Sequence, residues 1–286
     1  MKSARKVSRI QLGRPTLEGA GVRLLRAFGN ADPLLDPFLL LDDFHSNDPR
    51  DYLAGFPWHP HRGIETITYM LHGEVAHGDS LGNKGVIRPG EVQWMTAGGG
   101  IVHQEMPQEP PDRLLWGFQL WANLPAQQKM MDPRYREVVR RDIPEVNTRE
   151  GAKIRIICGQ VEGVKGPVQD IVTDPEYLDV TLIPGAEFRR SIPAGHNVFA
   201  YLIQGAARFG PDRQAAQEKH LVVFEKGEEV AVSTERESAR FLLVSGRPLR
   251  EPVAWRGPIV MNTEEELDLA FEEYQNGTFL KNSKRH

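Results

Sequence analysis

The stretch "YMLHGEV", Tyr69 to Val75, returns late in the chain as "YLIQGAA", Tyr201 to Ala207. Each copy is an apolar run closed by glycine, and each is followed by a Gly-Glu turn, "PGEVQWMTA" or "KGEEVAVST". Two copies of one β-domain is the economical reading. Around them lie further short runs, "ETITYML", "LLWGFQLWA", "KIRIICG", "LDVTLI", "HLVVFE" and "ARFLLVSG", punctuated by 27 glycines and 21 prolines. Runs rich in Val, Ile, Thr and aromatics, bounded by Gly and Pro, argue for an all-β sandwich or barrel. One helix is expected near the C-terminus: "NTEEELDLAFEEYQNG" offers Thr263 as N-cap, Glu266 three residues on, and Asn276-Gly277 as the stop. The polar, Pro-containing region 130–153 reads as the linker between the two copies.

The 286 residues suffice for two domains, each burying its own core. No uncharged apolar run approaches the roughly 18 residues of a membrane span, and the opening "MKSARKVSRIQLGRP" carries no apolar segment of the signal-peptide kind. A cytoplasmic location, with no membrane partner, is the expectation. The single cysteine, Cys158 in "IRIIC", excludes an internal disulfide and a cysteine-rich zinc site and reads as a small buried hydrophobe. A net charge of −4 with interspersed signs leaves no footprint for direct nucleic-acid binding.

The chemistry concentrates in "FPWHPHRGIET" and "GGGIVHQEM". His59 and His61 are two apart, as are His103 and Glu105, and on a strand such pairs leave one face. Pro60 lacks an amide donor, which suits an edge or a bulge. Two adjacent strands, each presenting two inward donors, would converge three imidazoles and one carboxylate. That set suits a first-row divalent ion, Fe(II), Mn, Ni, Co or Zn, with the carboxylate favouring the harder members and Fe(II) the expectation once family resemblance is added. Four protein ligands on a six-coordinate ion leave positions open for substrate or dioxygen.

These motifs carry a family resemblance. "HPHRGIET" (His59 to Thr66), "DSLGNKGVIRPGEVQWMTAGGGIVHQEM" (Asp79 to Met106), "FQLWANLP" (Phe118 to Pro125) and "GRPLREPVAWRGPIVMNTEEE" (Gly246 to Glu266) resemble the pirin family of the cupin superfamily across nearly the whole chain. The resemblance implies a bicupin, two tandem jelly-roll-like β-barrels with a short C-terminal helix. The expected division is a metal-binding domain over 1–135 and a metal-free domain with the terminal helix over 136–286. Carried over by motif position, the implied metal ligands are His59, His61, His103 and Glu105. Glu65, a ligand position in many other cupins, is left out, with pairing to Arg62 or ordering of its strand expected instead. The second half lacks any paired motif, since His196 and His220 stand alone.

Pirin-like proteins are associated with quercetin 2,3-dioxygenase activity, which opens the central flavonol ring with dioxygen and releases carbon monoxide. The implied substrates are then a flavonol and dioxygen, with Glu105 as the catalytic base for the flavonol hydroxyl. The alternative is a non-enzymatic iron-binding redox sensor that regulates transcription or metabolism through a protein partner. Trp58 and Gly99 depart from the family pattern beside the ligands, which bears on pocket shape and substrate preference. His72 and His77 read as surface or turn residues, His77 near a pocket rim. Trp94, Met95, Trp116, Phe118 and Trp121 read mostly as core, and Gly98 to Gly100 as a tight backbone path beside the metal.

Overall fold

A computed structural model describes residues 3–281. The chain forms two compact units, and each is built mainly from antiparallel strands. One unit comprises Pro15–Gly29, Phe38–Arg140 and the residues from Arg250 on; the other comprises the residues up to Arg14, Asn30–Pro37 and Arg141–Leu249. A single cut near residue 135 is therefore not how the chain divides. The expected second domain loses its tail: the helix Glu264–Gln275 packs with the unit that holds the histidine motifs, through Leu267, Ala270, Ile259 and Phe279.

In the histidine-bearing unit the large sheet runs in the order Arg134–Val138, Val92–Thr96, Ile64–His72, Leu115–Asn123, Phe38–Ser46, Val22–Gly29, Arg14–Glu18. A smaller sheet runs Phe56–His61, Ile101–Gln108, Glu74–Asp79, Lys84–Ile87. Phe56–His61 is an edge strand, which is where Pro60 can stand without leaving a ladder bond unmade. The segment expected as a linker contributes two short strands, Arg134–Val138 to this unit and Glu145–Asn147 to the other.

The other unit repeats the order: Val7–Leu12, His220–Phe224, Asn197–Phe209, Ala239–Gly246, Glu176–Leu182, Ala152–Cys158, Glu145–Asn147. Its smaller layer pairs Glu187–Ser191 with Glu229–Ser233, and the latter with the end of Asn197–Phe209, which pairs Gln214–Gln217. The repeated motif occupies matching strands, since Ile64–His72 lies between Val92–Thr96 and Leu115–Asn123 as Asn197–Phe209 lies between His220–Phe224 and Ala239–Gly246. Its shared glycine has one conformation in both copies, φ 72° at Gly73 and 73° at Gly205. A Cβ there would stand 3.0 Å from the Leu114 carbonyl oxygen and 2.0 Å from that of Ser238, so both the turn and the crowding require glycine. The two Gly-Glu turns, however, are not counterparts. Glu91 leads into Val92–Thr96 of the large sheet, whereas Glu228 leads into Glu229–Ser233 of the small one.

The second unit is filled with apolar side chains. Phe188, Phe209 and Phe241 are buried with ring centroids 6.0 Å apart for the pairs that Phe241 makes, and Val230 and Val232 pack with them. Cys158 is buried there, its thiol donating to the Pro175 carbonyl at 3.2 Å. The helix has the expected cap: Thr263 Oγ1 accepts from the Glu266 amide and Glu266 Oε2 accepts from the Thr263 amide, both at 3.2 Å. No helix among the described residues is long and apolar enough to cross a membrane.

Candidate metal centre

Strand pairing brings the two motifs together. Ile101–Gln108 pairs Phe56–His61 so that His103 stands opposite His59, and a bulge between His103 and Glu105 then shifts the register. The ring centroids of His59, His61 and His103 lie 4.4, 4.8 and 5.0 Å apart. One ligand atom from each of the three falls within 4.8 Å of the others. Glu105 is on the same strand, but its Oε2 stands 3.9 Å from His103 Nε2, outside that cluster.

The hydrogen bonds define which nitrogens carry protons. His59 Nδ1 is 2.9 Å from the Pro57 carbonyl and His61 Nδ1 is 2.9 Å from the Pro258 carbonyl. A carbonyl only accepts, so both Nδ1 atoms donate, and in the neutral rings both Nε2 atoms are lone pairs. Those two Nε2 atoms face each other at 3.0 Å. Burial and the neighbouring His59 hold the His61 imidazole well below the ordinary range near 6.5, which keeps it neutral. His103 is fully buried and neither of its nitrogens has a hydrogen-bond partner. Burial and the other imidazoles likewise hold it far down. Converging lone pairs with an orphaned third ring repel unless a cation lies among them, so the donor set fits a divalent ion.

Glu105 is held from behind. Its Oε1 is 3.0 Å from Thr68 Oγ1, Thr68 Oγ1 is 2.6 Å from Gln119 Oε1, and Gln119 Nε2 donates to Glu105 Oε2 at 3.4 Å. The threonine has one proton and faces two oxygens. With Glu105 ionised the Thr68 hydroxyl donates to its Oε1; once Glu105 takes up a proton it can donate to Thr68 instead, which then turns its own proton to Gln119. Burial, the largest cause, raises the Glu105 carboxyl above the ordinary carboxylate range, and the hydrogen bonds from Thr68 and Gln119 oppose that rise.

Other expectations sort cleanly. Glu65 lies three residues before Thr68, on the opposite face of its strand, and takes the Thr96 hydroxyl at 2.6 Å rather than Arg62. Arg62 instead donates to the Gly99 and Phe279 carbonyls, each at 2.8 Å. A Cβ at Gly98, Gly99 or Gly100 would meet Met131, Met130 or Phe279, so that path serves close packing against those two segments. His77 is no turn residue. It is buried opposite Glu105, its Nε2 donates to Glu137 at 3.0 Å, and its Nδ1 accepts from the Tyr135 hydroxyl at 3.1 Å. His72 meets Asp112 at 2.7 Å, on the surface. Trp94, Met95 and Phe118 are core. Trp116 stacks on His45 at 4.0 Å, and Trp121 lines the site edge-on to His61 at 5.1 Å. Trp58 is half exposed, beside His59 in sequence but alternating away from it.

Thr68, Gln119 and Pro258 escaped the sequence reading. A lone threonine or glutamine on a strand has no signature, and Pro258 is 197 positions from the histidine it serves.

A family model described as Pirin matches residues 21–122, and one described as Pirin C-terminal cupin domain matches residues 177–280. The Pseudomonas aeruginosa protein named "Putative quercetin 2,3-dioxygenase" is 41% identical over 284 residues, covering 97% of this chain and 99% of that protein. The Homo sapiens protein named Pirin is 41% identical over 283 residues, covering 96% and 94%. The crystal structure of a quercetin 2,3-dioxygenase from Acinetobacter baumannii matches with a TM-score of 0.88 at 32% identity, covering 97% of this chain and 99% of that one. With two family models matched in order and relatives alike from end to end, the chain belongs to the pirin family and has its two-domain cupin fold.

Proposed function

We propose that this protein is a metal-dependent dioxygenase that opens the central ring of a flavonol and releases carbon monoxide, with His59, His61, His103 and Glu105 holding the ion. The observation that carries the reading is the 3.0 Å approach of two Nε2 lone pairs whose Nδ1 atoms are already committed to carbonyls, beside a buried His103 with no partner. The names of the relatives supply the substrate class. A divalent first-row ion, Fe(II) by preference, supplies Lewis-acid stabilisation of an anionic substrate oxygen when bound.

The chain's own residues perform the remaining work. Glu105, raised by burial, takes the flavonol hydroxyl proton at its carboxyl. Thr68 and Gln119 then hold that proton in the three-membered ring, so the carboxyl can turn away from the imidazoles without leaving a buried donor or acceptor unpaired. Trp121, edge-on to His61, gives the site an apolar wall that suits an aromatic substrate.

The test is anaerobic reconstitution with Fe(II), Mn, Ni, Co and Zn in turn, then flavonol turnover in oxygen with carbon monoxide detection, beside a His61→Ala control. Turnover that follows the metal and disappears in the control is the expected result. Metal uptake without turnover would remove the enzymatic reading and leave a redox-sensing binding protein.

A further inference from the structure

A buried lysine lies behind the histidines; burial lowers its pKa to about 7, and in the ammonium form it has three protons to donate. Lys129 is 1% exposed, and its Nζ donates to the Gly63 carbonyl at 2.9 Å, to Asn123 Oδ1 at 2.6 Å and to the Val260 carbonyl at 3.1 Å. Three donors meet three acceptors, so the charge is fully used. Two of those acceptors belong to segments that frame His61. Gly63 follows it by two residues, and Val260 lies on the C-terminal strand Ile259–Met261, just past the Pro258 carbonyl that receives the His61 Nδ1 proton.

The two backbones are in intimate contact. The Val260 amide donates to the Arg62 carbonyl at 3.1 Å, and a Cβ on Gly63, at φ 79°, would stand 1.9 Å from the Val260 oxygen. Without the ammonium, the Gly63 and Val260 carbonyls and the Asn123 amide oxygen would present three partial negative charges to one another. Their repulsion would move the strand and carry Pro258 off His61.

We infer that Lys129 is a positioning residue of the metal centre. By drawing the Gly63 and Val260 carbonyls onto one charge, it sets the spacing at which Pro258 keeps His61 in the Nδ1–H tautomer, with Nε2 toward His59 and His103. The inference rests on the proposed metal site, and it makes the C-terminal segment part of that site.

The test uses Lys129→Met, of similar length and without a donor. Ni(II) affinity is measured by competition with a chromophoric chelator, and the His61 proton is located from ring 15N shifts in the chelator-treated protein. The expected result is a roughly ten- to hundredfold loss of affinity, as for other residues that orient metal ligands, together with a mixed His61 tautomer. A folded Lys129→Met chain with wild-type affinity and a pure Nδ1–H His61 overturns the inference. Should that variant not fold, Lys129→Gln, which keeps a donor but removes the charge and one of the three bonds, is expected to show the same two changes, and their absence overturns it equally. The wild-type tautomer decides in any case: an Nε2–H His61 overturns the inference. Wild-type protein that takes up no Ni(II) while keeping Nδ1–H on His61 defeats the metal reading and, with it, the loss of affinity expected here.

Discussion

In one barrel, the edge strand Phe56–His61 and its neighbour Ile101–Gln108 turn three imidazoles toward one another, with the Glu105 carboxyl beside them; in the other, the counterpart strands Glu187–Ser191 and Glu229–Ser233 bury Phe188, Val230 and Val232. The strand order is the same in both. One scaffold therefore accepts opposite contents, because the ladder is made by backbone and the filling by side chains at every second position. Apolar filling stabilises the second barrel directly, by roughly 1.5–3 kcal/mol for each large side chain fully buried. Polar filling costs the first barrel, since buried groups such as His103 lack a partner. An ion bound only to the folded state would offset that cost, by about 4 kcal/mol at a thousandfold excess over Kd.

The comparison is broken most severely by removing a ligand. His103→Ala is expected to abolish stoichiometric metal uptake and to lower flavonol turnover by at least about a hundredfold, more than the loss of an orienting partner alone. Uptake is read by elemental analysis. Retained uptake would show that His103 is not needed to hold the ion. The reciprocal change, Phe241→Ala in the second barrel, opens a cavity where two other phenylalanine rings pack. It is expected to cost about 3–5 kcal/mol in denaturant unfolding while leaving metal affinity unchanged. A fall in affinity would show that the apolar barrel supports the site.

Acidity separates the barrels next. Burial keeps His61 and His103 well below 6.5 in the folded chain, whereas the unfolded chain titrates near that value. As the pH falls below about 6.5, the unfolded state takes up protons that the folded state refuses. Stability of the chelator-treated protein should then fall by up to about 1.4 kcal/mol per pH unit for each of the two rings. His196 in the second barrel, also lowered by burial, adds a smaller slope of its own. Glu105 acts with the opposite sign, its raised pKa giving stability at low pH that is lost as the pH rises through its folded value. Urea unfolding between about pH 7 and 5.5 checks this, and His61→Phe should flatten the slope by one proton. An unchanged slope would show that His61 is protonated in the folded chain.

The smallest effect is expected at the proton-holding ring. Thr68→Val removes the hydroxyl between Glu105 and Gln119. Turnover should fall about tenfold, less than the roughly hundredfold or more that a positioned acid–base group itself contributes, with metal affinity within a few-fold of wild type. A loss of affinity equal to the loss of turnover would place Thr68 with the ligands' support rather than with proton handling.

Much of this was legible in the chain itself. The β-rich runs, the repeated Tyr-x-x-x-Gly motif, the capped helix and the two paired motifs depend on neighbours in sequence, because strand alternation, turn conformation and helix capping are local. His59, His61, His103 and Glu105 stood out for that reason. His77 did not, because a histidine near a hairpin looks the same whether it faces water or, as here, lies buried opposite Glu105.

Tertiary structure alone decided the rest. Only folding brings Pro258 to His61, Lys129 to Val260, and Thr68 and Gln119 to Glu105. Only folding, too, returns the C-terminal helix to the first barrel. The proton state of each ring and carboxyl follows from these distant partners and from burial, and neither is set until the chain has closed on itself. The residues proposed to hold the ion were therefore written locally, while the tautomer of His61 was settled by a segment 197 positions away.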